Sequence, residues 1–257
     1  MSAMSHDQDV TRQFDDVAAR YENSAVHAEG PDLALFRHAA ERLRPRHALD
    51  VGCGPGHVAL ALAPFCTHVQ AVDASPAMLA IAAARAREAG HGHIDIREAS
   101  AARLPFADAA MDLATCRFSA HHWRDVAAGI REIGRVLRPG ATFILTDSVA
   151  PDDPLADTHL QAIEVLRDPT HVRNYTVSAW MALLAAHGLA PLRTDHFRIR
   201  LVFADWVARA KTPPSRIAAI EELLSKAPAE ARSRLGVEED GSFHLDVLTV
   251  QCAKRGS

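Results

Sequence analysis

The apolar positions along the chain follow two different spacings. Short runs of β-branched and other apolar residues predict strands at 47–51, 69–73, 94–98, 111–117 and 141–149. Between them, apolar residues recur three and four positions apart, which predicts amphipathic helices over 58–65, 76–89 and 124–137. Such alternation is typical of a parallel sheet with right-handed crossovers and helices on both faces.

Turn-forming residues mark the ends of two of these helices. Ser75 is a favourable N-cap and Pro76 suits the first helical position, so the second helix is predicted to begin there. Arg138-Pro139-Gly140 places a proline and a glycine after the third helix and is predicted to end it.

Both flanks of this core carry further helical patterns. Two amphipathic stretches, 8–20 and 32–44, precede the first strand, and residues 150–190 return to helix after an opening turn. Two last strands are predicted at 196–203 and 243–251, with helix over 205–235 between them. Consecutive strands at the end of a chain often pair antiparallel at a sheet edge.

The elements together predict an α/β fold. Its sheet is doubly wound, mostly parallel and seven-stranded (Rossmann-like), with helices on both faces, an antiparallel last strand pair and a helical lid. We interpret the chain as a single domain, whose parts are an N-terminal helical cover (1–46), a ligand-binding core (47–149), lid inserts (150–190 and 204–240) and terminal strands (196–203 and 243–251).

Composition narrows the class of protein. The 257 residues are 48% hydrophobic and 23% charged, near globular averages, which excludes disordered and fibrous classes. A net charge of −4 gives no general attraction to nucleic acid or anionic membranes. No secretory h-region or membrane-length apolar stretch is present, and four scattered cysteines indicate reduced thiols. We therefore expect a soluble cytoplasmic protein, monomeric or homodimeric, without nucleic-acid partners.

The most informative segment is Asp50-Val51-Gly52-Cys53-Gly54-Pro55-Gly56, where a strand enters a glycine-rich turn before a helix. Glycines allow a tight turn and a close approach of ligand to backbone. The spacing is G-x-G-x-G, which differs from the dinucleotide fingerprint G-x-G-x-x-G, and no Gly-Lys-Ser/Thr follows as in a P-loop. The segment therefore predicts a ligand loop of another class.

Two carboxylates indicate which ligand this loop holds. Asp50, before the loop, would repel a pyrophosphate but could hold a cationic amino group. Asp73 ends the second strand, where an acid can accept hydrogen bonds from both ribose hydroxyls. An amino-acid-bearing nucleoside without phosphates fits both features, and S-adenosylmethionine is such a ligand.

Several segments carry a resemblance to a known family. Residues 47–149 resemble the class I S-adenosylmethionine-dependent methyltransferases, in the group related to the ubiquinone/menaquinone methyltransferases (methyltransferase type 11). The carrying motifs are the glycine loop, Val72-Asp73-Ala74-Ser75-Pro76-Ala77-Met78-Leu79, Leu104-Pro105-Phe106-Ala107-Asp108 and residues 131–140. Beyond these motifs, further segments resemble an uncharacterised bacterial branch of that group: Arg12-Gln13-Phe14 with Tyr21 and Ser24-Ala25-Val26-His27, residues 119–123 and residues 167–173.

The resemblance implies the roles of particular residues toward S-adenosylmethionine. Gly52 and Gly54 would line its methionine part, Asp73 its ribose, and Ala74 and Met78 its adenine. Ser100 stands where relatives often have an aspartate that accepts from the adenine amino group. The remaining implied cofactor residues are Asp50, Cys53, Gly56, Ala101, which can donate through its backbone, and Arg117, placed for main-chain contacts to the methionine moiety.

Methyl transfer needs no protein nucleophile, but a general base helps when the acceptor is weakly acidic. Histidine suits that task near neutral pH. His121 and His122 follow the fourth strand at its carboxyl end, where doubly wound folds bind ligands, and adjacent residues point differently, so at most one is expected to face the substrate. The alternative is a histidine that caps the next helix or packs under Trp123. His57 and three other loop histidines are expected at the surface.

The substrate side of the site is predicted to lie in the flanking segments. His171 and Arg173, close to Tyr175, could bind an acidic or phenolic acceptor, or Arg173 could pair with Asp168 and hold the lid shut. Tyr21 and His27 could cover the cofactor, or their helix face could simply pack on the sheet. No metal-ligand spacing and no G-x-S-x-G elbow occurs.

The leading hypothesis is a small-molecule O-, C- or N-methyltransferase. One alternative is a nucleic-acid methyltransferase, which the acidic balance and the segment Arg117-Phe118-Ser119-Ala120 oppose, because amino-methylating DNA enzymes carry Asn/Asp-Pro-Pro-Tyr/Phe/Trp there. The other is a non-catalytic cofactor-binding or regulatory protein.

Overall fold

A computed structural model describes residues 5–22 and 30–256. Its strands are β1 His47–Val51, β2 His68–Asp73, β3 Ile94–Glu98, β4 Met111–Arg117, β5 Leu137–Val149, β6 Leu189–Leu201 and β7 Phe243–Lys254. They form one seven-stranded sheet in the order β3-β2-β1-β4-β5-β7-β6. The first five strands pair in parallel, and β7 runs antiparallel to both β5 and β6. This confirms the predicted doubly wound, mostly parallel sheet with an antiparallel last strand pair.

Helices cover both faces and the carboxyl edge of the sheet. In chain order they are α1 His6–Glu22, α2 Pro31–Leu43, α3 His57–Leu62, α4 Pro76–Glu88, α5 Val126–Val136, α6 Pro154–Arg167, α7 Val177–Ala186, α8 Phe203–Arg209, α9 Pro214–Lys226 and α10 Ala229–Leu235. Short 3₁₀ turns occur at Ala63–Phe65 and Ala120–His122. Among the described residues, no helix has the length and apolar character that crossing a bilayer requires.

The alternation of side chains along β1 explains the two-sided core. Leu49 points into the cluster that Ile130 of α5 joins, whereas Ala48 points to the opposite face, where Phe36 of α2 and Leu62 of α3 pack. All five side chains are fully buried. Apart from Asp50, the buried residues of β1 are apolar, as is typical of a strand that is covered on both faces.

Side-chain caps fix where the helices begin. The Ser75 hydroxyl accepts the Met78 amide at 3.1 Å, as predicted, with Pro76 at the first helical position. The next long helix begins at Val126, two residues later than predicted, because Asp125 caps it by accepting the Ala128 amide.

Two strands begin several residues earlier than predicted, whereas the other differences at strand ends are three residues or fewer. Strand β5 already begins at Leu137, which pairs with Met111 before an irregularity in register, so Arg138-Pro139-Gly140 lies inside a bulged strand start. Strand β6 begins at Leu189, seven residues before the prediction. Its first half is a largely exposed sheet edge without an apolar alternation, which is why the pattern missed it.

The inserts form a smaller core of their own at the end of the sheet. Trp206 of α8 and Ile220 of α9 pack with Leu160 of α6 and with Phe243 at the start of β7. This places α6 and the helices between β6 and β7 beside the carboxyl edge of the sheet, where the candidate site lies.

Candidate functional site

A cavity of about 370 Å³ lies at the carboxyl ends of β1, β2 and β4, beneath α1. Such volumes are typical of small-molecule sites. Most of the residues predicted for the site line it: Tyr21, Asp50, Gly52, Cys53, Gly54, Asp73, Ala74, Met78, Ser100, Ala101, Arg117, His122 and Trp123. The structure therefore brings together residues from five separate stretches of the chain.

Other predicted residues lie elsewhere. Gly56, His121, His171, Arg173 and Tyr175 do not line this cavity. Gly56 has a packing role, because a Cβ there would approach the Ala82 Cβ of α4 to 3.1 Å. His27 falls outside the described residues.

Sequence reasoning missed several lining residues. Helix α1 contributes Asp7, Val10, Thr11 and Phe14, which its amphipathic pattern could not assign to a ligand cavity rather than to the sheet. Glu98, at the end of β3, also lines the cavity, as Ser100 does. The position of Glu98 at a strand end was a signal that could have found it.

The glycine loop has the backbone that its sequence demands. Gly52 and Gly54 have φ angles of +69° and +50°, in the left-handed region. A Cβ on Gly52 would come within 2.0 Å of the Ser119 hydroxyl, so no other residue fits there. A Cβ on Gly54 would meet no atom within 4 Å, although Gly54 lines the cavity. The loop therefore leaves open space for a ligand directly at its backbone.

Asp73 ties this loop to the next strand. Its two carboxylate oxygens accept the Gly54 amide at 2.8 Å and the Ser75 amide at 2.9 Å. Burial raises the pKa of Asp73, while these backbone hydrogen bonds counteract that rise. A carboxylate offers about four acceptor positions, so Asp73 keeps acceptor capacity for a ligand in the cavity.

Asp50 lies behind the loop and is 1% exposed. Its carboxylate accepts the Ala59 amide at 3.1 Å and the Thr115 hydroxyl at 3.0 Å. Burial raises its pKa to about 7, and the neighbouring Asp73 contributes to that rise. One buried and one half-buried carboxylate, Asp50 and Asp73, thus make this wall of the cavity favourable for a cation.

Arg117 ends β4 and joins the sheet to α2 through a buried ion pair with Asp32. The guanidinium donates from Nε and from Nη2 to the two oxygens of Asp32, the latter at 3.0 Å. Both side chains are nearly inaccessible, so the loss of either partner would leave a buried charge. The planar guanidinium also lies 4.9 Å from the centre of the Phe118 ring.

Helix α1 covers the cavity through polar contacts with the core. Asp15 accepts the Ser75 hydroxyl at 2.6 Å and the Ala77 amide at 3.0 Å, at the start of α4. Thr11 donates to the Ala74 carbonyl at 3.2 Å. These contacts hold the helix over the strand end that carries Asp73.

His121 and His122 have different environments. The Nδ1 atom of His121 lies 2.5 Å from the Asp147 carboxylate, which also accepts the His121 amide. Burial alone lowers the pKa of His121, but the charge and hydrogen bond of Asp147 outweigh it and the pKa is raised. The Asp147 carboxylate therefore favours the protonated form of His121, which lies outside the cavity.

His122 lines the cavity and is held in a different way. Its Nδ1 lies 3.1 Å from the carbonyl oxygen of Thr170. Phe14 of α1 packs edge-on against its ring, with centroids 4.9 Å apart. Burial and the adjacent charge of His121 lower the pKa of His122, so its ring is neutral at neutral pH. Of the two candidate histidines, His122 is the one with access to a ligand.

Three predicted lid residues, His171, Arg173 and Tyr175, form side-chain contacts within the insert 150–190. His171 bonds through Nε2 to the Gln161 side chain at 3.0 Å, and the Tyr175 ring packs against Trp180. Arg173 pairs with Asp157 at 2.7 Å, so the suggested pairing with Asp168 is wrong.

The expectation that His57 lies at the surface is also wrong. Its ring lines the cavity at the start of α3. Nδ1 accepts from Arg85 at 3.2 Å, and Nε2 lies 3.4 Å from the Tyr21 carbonyl of α1. Burial, followed by the charge of Arg85, lowers the pKa of His57 to about 4. Its place directly after the glycine loop was a signal that could have found it.

Comparisons with known proteins show which family the chain belongs to. Residues 49–145 match the family described as "Methyltransferase domain". The protein named "Uncharacterized methyltransferase YcgJ" from Bacillus subtilis (strain 168) is 36% identical over 247 residues, which are 94% of this chain and 98% of that protein. The YcgJ crystal structure superposes with a TM-score of 0.81 at 35% identity, covering 88% of this chain and 98% of that one.

Two further proteins resemble smaller parts of the chain or its fold. "Ubiquinone/menaquinone biosynthesis C-methyltransferase UbiE" from Rubrivivax gelatinosus is 34% identical over 149 residues, 56% of this chain and 58% of that protein. A structure of geranyl diphosphate methyltransferase in complex with SAM has a TM-score of 0.58 at 18% identity, covering 88% of this chain and 82% of that one. The latter likeness concerns the fold alone.

The His121–Asp147 pair predicts a pH-dependent stability. Because the folded pKa of His121 lies above its unfolded value of about 6.5, the stabilisation by protonated His121 is full below that value and is lost as pH rises through the folded pKa. We expect the difference in unfolding free energy between the natural protein and His121→Gln to be larger at pH 6 than at pH 9. Urea unfolding monitored by circular dichroism measures it, and a difference that grows with pH would contradict the ion pair.

Proposed function

The chain belongs to the methyltransferase family that includes YcgJ, and on that premise we propose that it methylates a small-molecule acceptor with S-adenosylmethionine. The observation that carries the proposal is the open space at Gly54, bounded by Asp50 and Asp73. A backbone without a side chain, flanked by the carboxylates of Asp50 and Asp73, suits a ligand that combines a ribose with a cationic amino-acid end.

The lining residues fit the parts of this cofactor. Asp73 is placed to accept from ribose hydroxyls, and Gly52 and Gly54 to lie along the methionine part. Ala74 and Met78 would flank the adenine, with Ser100, Ala101 and the unpredicted Glu98 at its polar edge. Cys53, Asp50 and Arg117 would complete the methionine end. When bound, S-adenosylmethionine supplies an electrophilic methyl group on a sulfonium sulfur.

The protein's own contribution is alignment, exclusion of water and removal of one proton. Helix α1 closes the cavity with Phe14 and Tyr21, and Trp123 adds an apolar surface for a flat acceptor. Neutral His122 faces this space and is the proposed general base, because it can take the proton that an acceptor O–H, N–H or acidic C–H loses. His121 contributes by holding its segment of chain rather than by proton transfer.

The first test of the cofactor site compares two glycines. Gly54→Ala is expected to weaken S-adenosylmethionine binding at least about tenfold, or about 1.4 kcal/mol, because the new methyl group would occupy ligand space. Gly140→Ala is the matched control, since Gly140 also has a positive φ and a Cβ added there would meet no atom within 4 Å, but it lies away from the cavity. Calorimetric titration measures both; equal affinities would contradict the placement.

Asp50 provides a second test through proton release. Because its pKa is about 7, roughly half of the carboxyl groups are protonated at pH 7. A bound cation lowers that pKa, so S-adenosylmethionine binding should release up to about half a proton. Titrations at pH 7 in buffers of different ionisation enthalpy measure the release. It should disappear in Asp50→Asn, and its absence in the natural protein would exclude a cation beside Asp50.

Turnover tests the function itself. We expect S-adenosylhomocysteine release to depend on one acceptor class in a panel of phenols, carboxylic acids, amines and enols. His122→Gln should then lower kcat by roughly 10²–10⁴ with unchanged affinity for S-adenosylmethionine. His159→Gln, on α6 and outside the cavity, is the matched control. Full activity of His122→Gln would exclude it as the base, and tight cofactor binding without any turnover would favour a regulatory protein.

A further inference from the structure

Hydrogen bonds connect the turn after α6 to the His122 ring at the cavity wall. Asp168 accepts two hydrogen bonds from Thr170 on one carboxylate oxygen, from the amide at 2.9 Å and from the hydroxyl at 2.7 Å. Thr170 in turn lies against the His122 ring, 48 residues earlier in the chain. All three residues are at least nine-tenths buried, so these contacts form in a region of low dielectric where hydrogen bonds are strong.

The hydrogen-bond donors and acceptors around His122 allow only one tautomer of its neutral ring. Its Nδ1 lies 3.1 Å from the Thr170 carbonyl oxygen and 3.3 Å from the Thr170 hydroxyl oxygen. A carbonyl oxygen only accepts, and the Thr170 hydroxyl proton is directed to Asp168. Nδ1 must therefore carry the proton of the neutral imidazole, and Nε2 carries the free lone pair.

The rest of the His122 residue is fixed as well. Its backbone carbonyl accepts from Nε2 of His6 at 3.0 Å, and its amide donates to the Ser119 carbonyl at 3.0 Å. No described residue forms a hydrogen bond with its Nε2 atom, and His122 lines the cavity. The ring is thus held on its Nδ1 side, which leaves Nε2 for a ligand.

We propose that Asp168 and Thr170 are positioning residues that hold His122 in its Nδ1-protonated tautomer and so direct the Nε2 lone pair toward the acceptor. This deepens the proposed function and rests on it for its catalytic consequence. The acceptor class it implies is one that presents an O–H or N–H group. Its proton would pass to Nε2 as the acceptor atom bonds to the methyl carbon, while the bond from that carbon to the sulfonium sulfur breaks and S-adenosylhomocysteine leaves. The resulting imidazolium is stabilised by Asp168 through the Thr170 hydroxyl.

The second carboxylate oxygen of Asp168 supports a role beyond local turn formation. It is buried without a hydrogen-bond partner among the described residues. A carboxylate that only shaped a turn would gain by exposing this oxygen to water, since a buried polar atom without a partner is costly. A buried carboxylate oxygen of Asp168 near His122 is explained by the positive charge that the His122 ring acquires when the ring takes a proton.

Nitrogen NMR of histidine side chains tests the tautomer without any acceptor. Full-length protein labelled with ¹⁵N-histidine is recorded at pH 7.5, and the signals absent from His122→Gln are those of His122. We expect these signals to have the pattern of an Nδ1-protonated neutral ring. The Nε2-protonated pattern, which free imidazole side chains favour, would overturn the proposal.

Variants then test whether Asp168 and Thr170 hold that state. Asp168→Ala should shift His122 toward the Nε2-protonated form, whereas Asp168→Asn, which keeps an acceptor oxygen, should preserve the natural pattern. Thr170→Val removes the hydroxyl but keeps the main-chain carbonyl that accepts from Nδ1, so it should preserve the natural pattern. Combined with Asp168→Ala it should restore that pattern, because the freed hydroxyl that could donate to Nδ1 is then absent. Thr249→Val is the matched control, because Thr249 is an equally buried threonine bonded to Thr146 in the sheet.

The outcomes separate this proposal from the proposed function. If folded Asp168→Ala keeps the natural His122 pattern, or if adding Thr170→Val to it does not restore that pattern, the positioning role is overturned. Calorimetric titration of the same natural-sequence sample with S-adenosylmethionine is independent of the tautomer. A failure to bind would contradict the proposed function alone, while the tautomer result would still decide the role of Asp168.

Discussion

The site depends on the hydrogen bonds that the Asp73 carboxylate accepts. By accepting amides from Gly54 and Ser75, it joins the glycine loop after β1 to the start of the helix after β2. Asp15 of α1 bonds to the same helix start, through the Ser75 hydroxyl and the Ala77 amide, so the cover over the cavity is positioned by the same corner of the fold. Loop, strand end and cover are therefore one connected unit, and Gly54 is its open point.

The second organising feature is a division of roles between adjacent histidines. The Asp147 carboxylate favours the protonated form of His121, which lies outside the cavity. The positive charge of that form in turn favours the neutral state of His122. The two rings are 4.3 Å apart, so the protonation of one is linked to that of the other. The ion pair on one side and the Thr170 turn on the other thus favour an uncharged His122 ring at the wall of the cavity.

Sequence patterns were sufficient where a residue's role follows from its own strand or loop. Strands β1, β3 and β4 were predicted at their observed bounds because each is a short β-type run bounded by clear turn signals. The glycine loop and Asp73 were predicted as a ligand site because the glycine spacing and the acidic strand end are local features of the sequence. What could not be predicted depends on distant contacts: Phe14 reaches the cavity only because α1 folds back over it, and Thr170 reaches His122 across 48 positions. The start of β6 was predicted too late because an exposed edge strand lacks an apolar pattern.

The central claim is that the cavity holds S-adenosylmethionine between the glycine loop and Asp73, with His122 open to the acceptor. A crystal structure of the protein with S-adenosylhomocysteine tests this most directly. We expect the ribose hydroxyls to lie against Asp73 and the amino-acid end to lie along Gly52 and Gly54, with free space between the sulfur and Nε2 of His122. A ligand bound elsewhere, or one whose ribose lies away from Asp73, would contradict it.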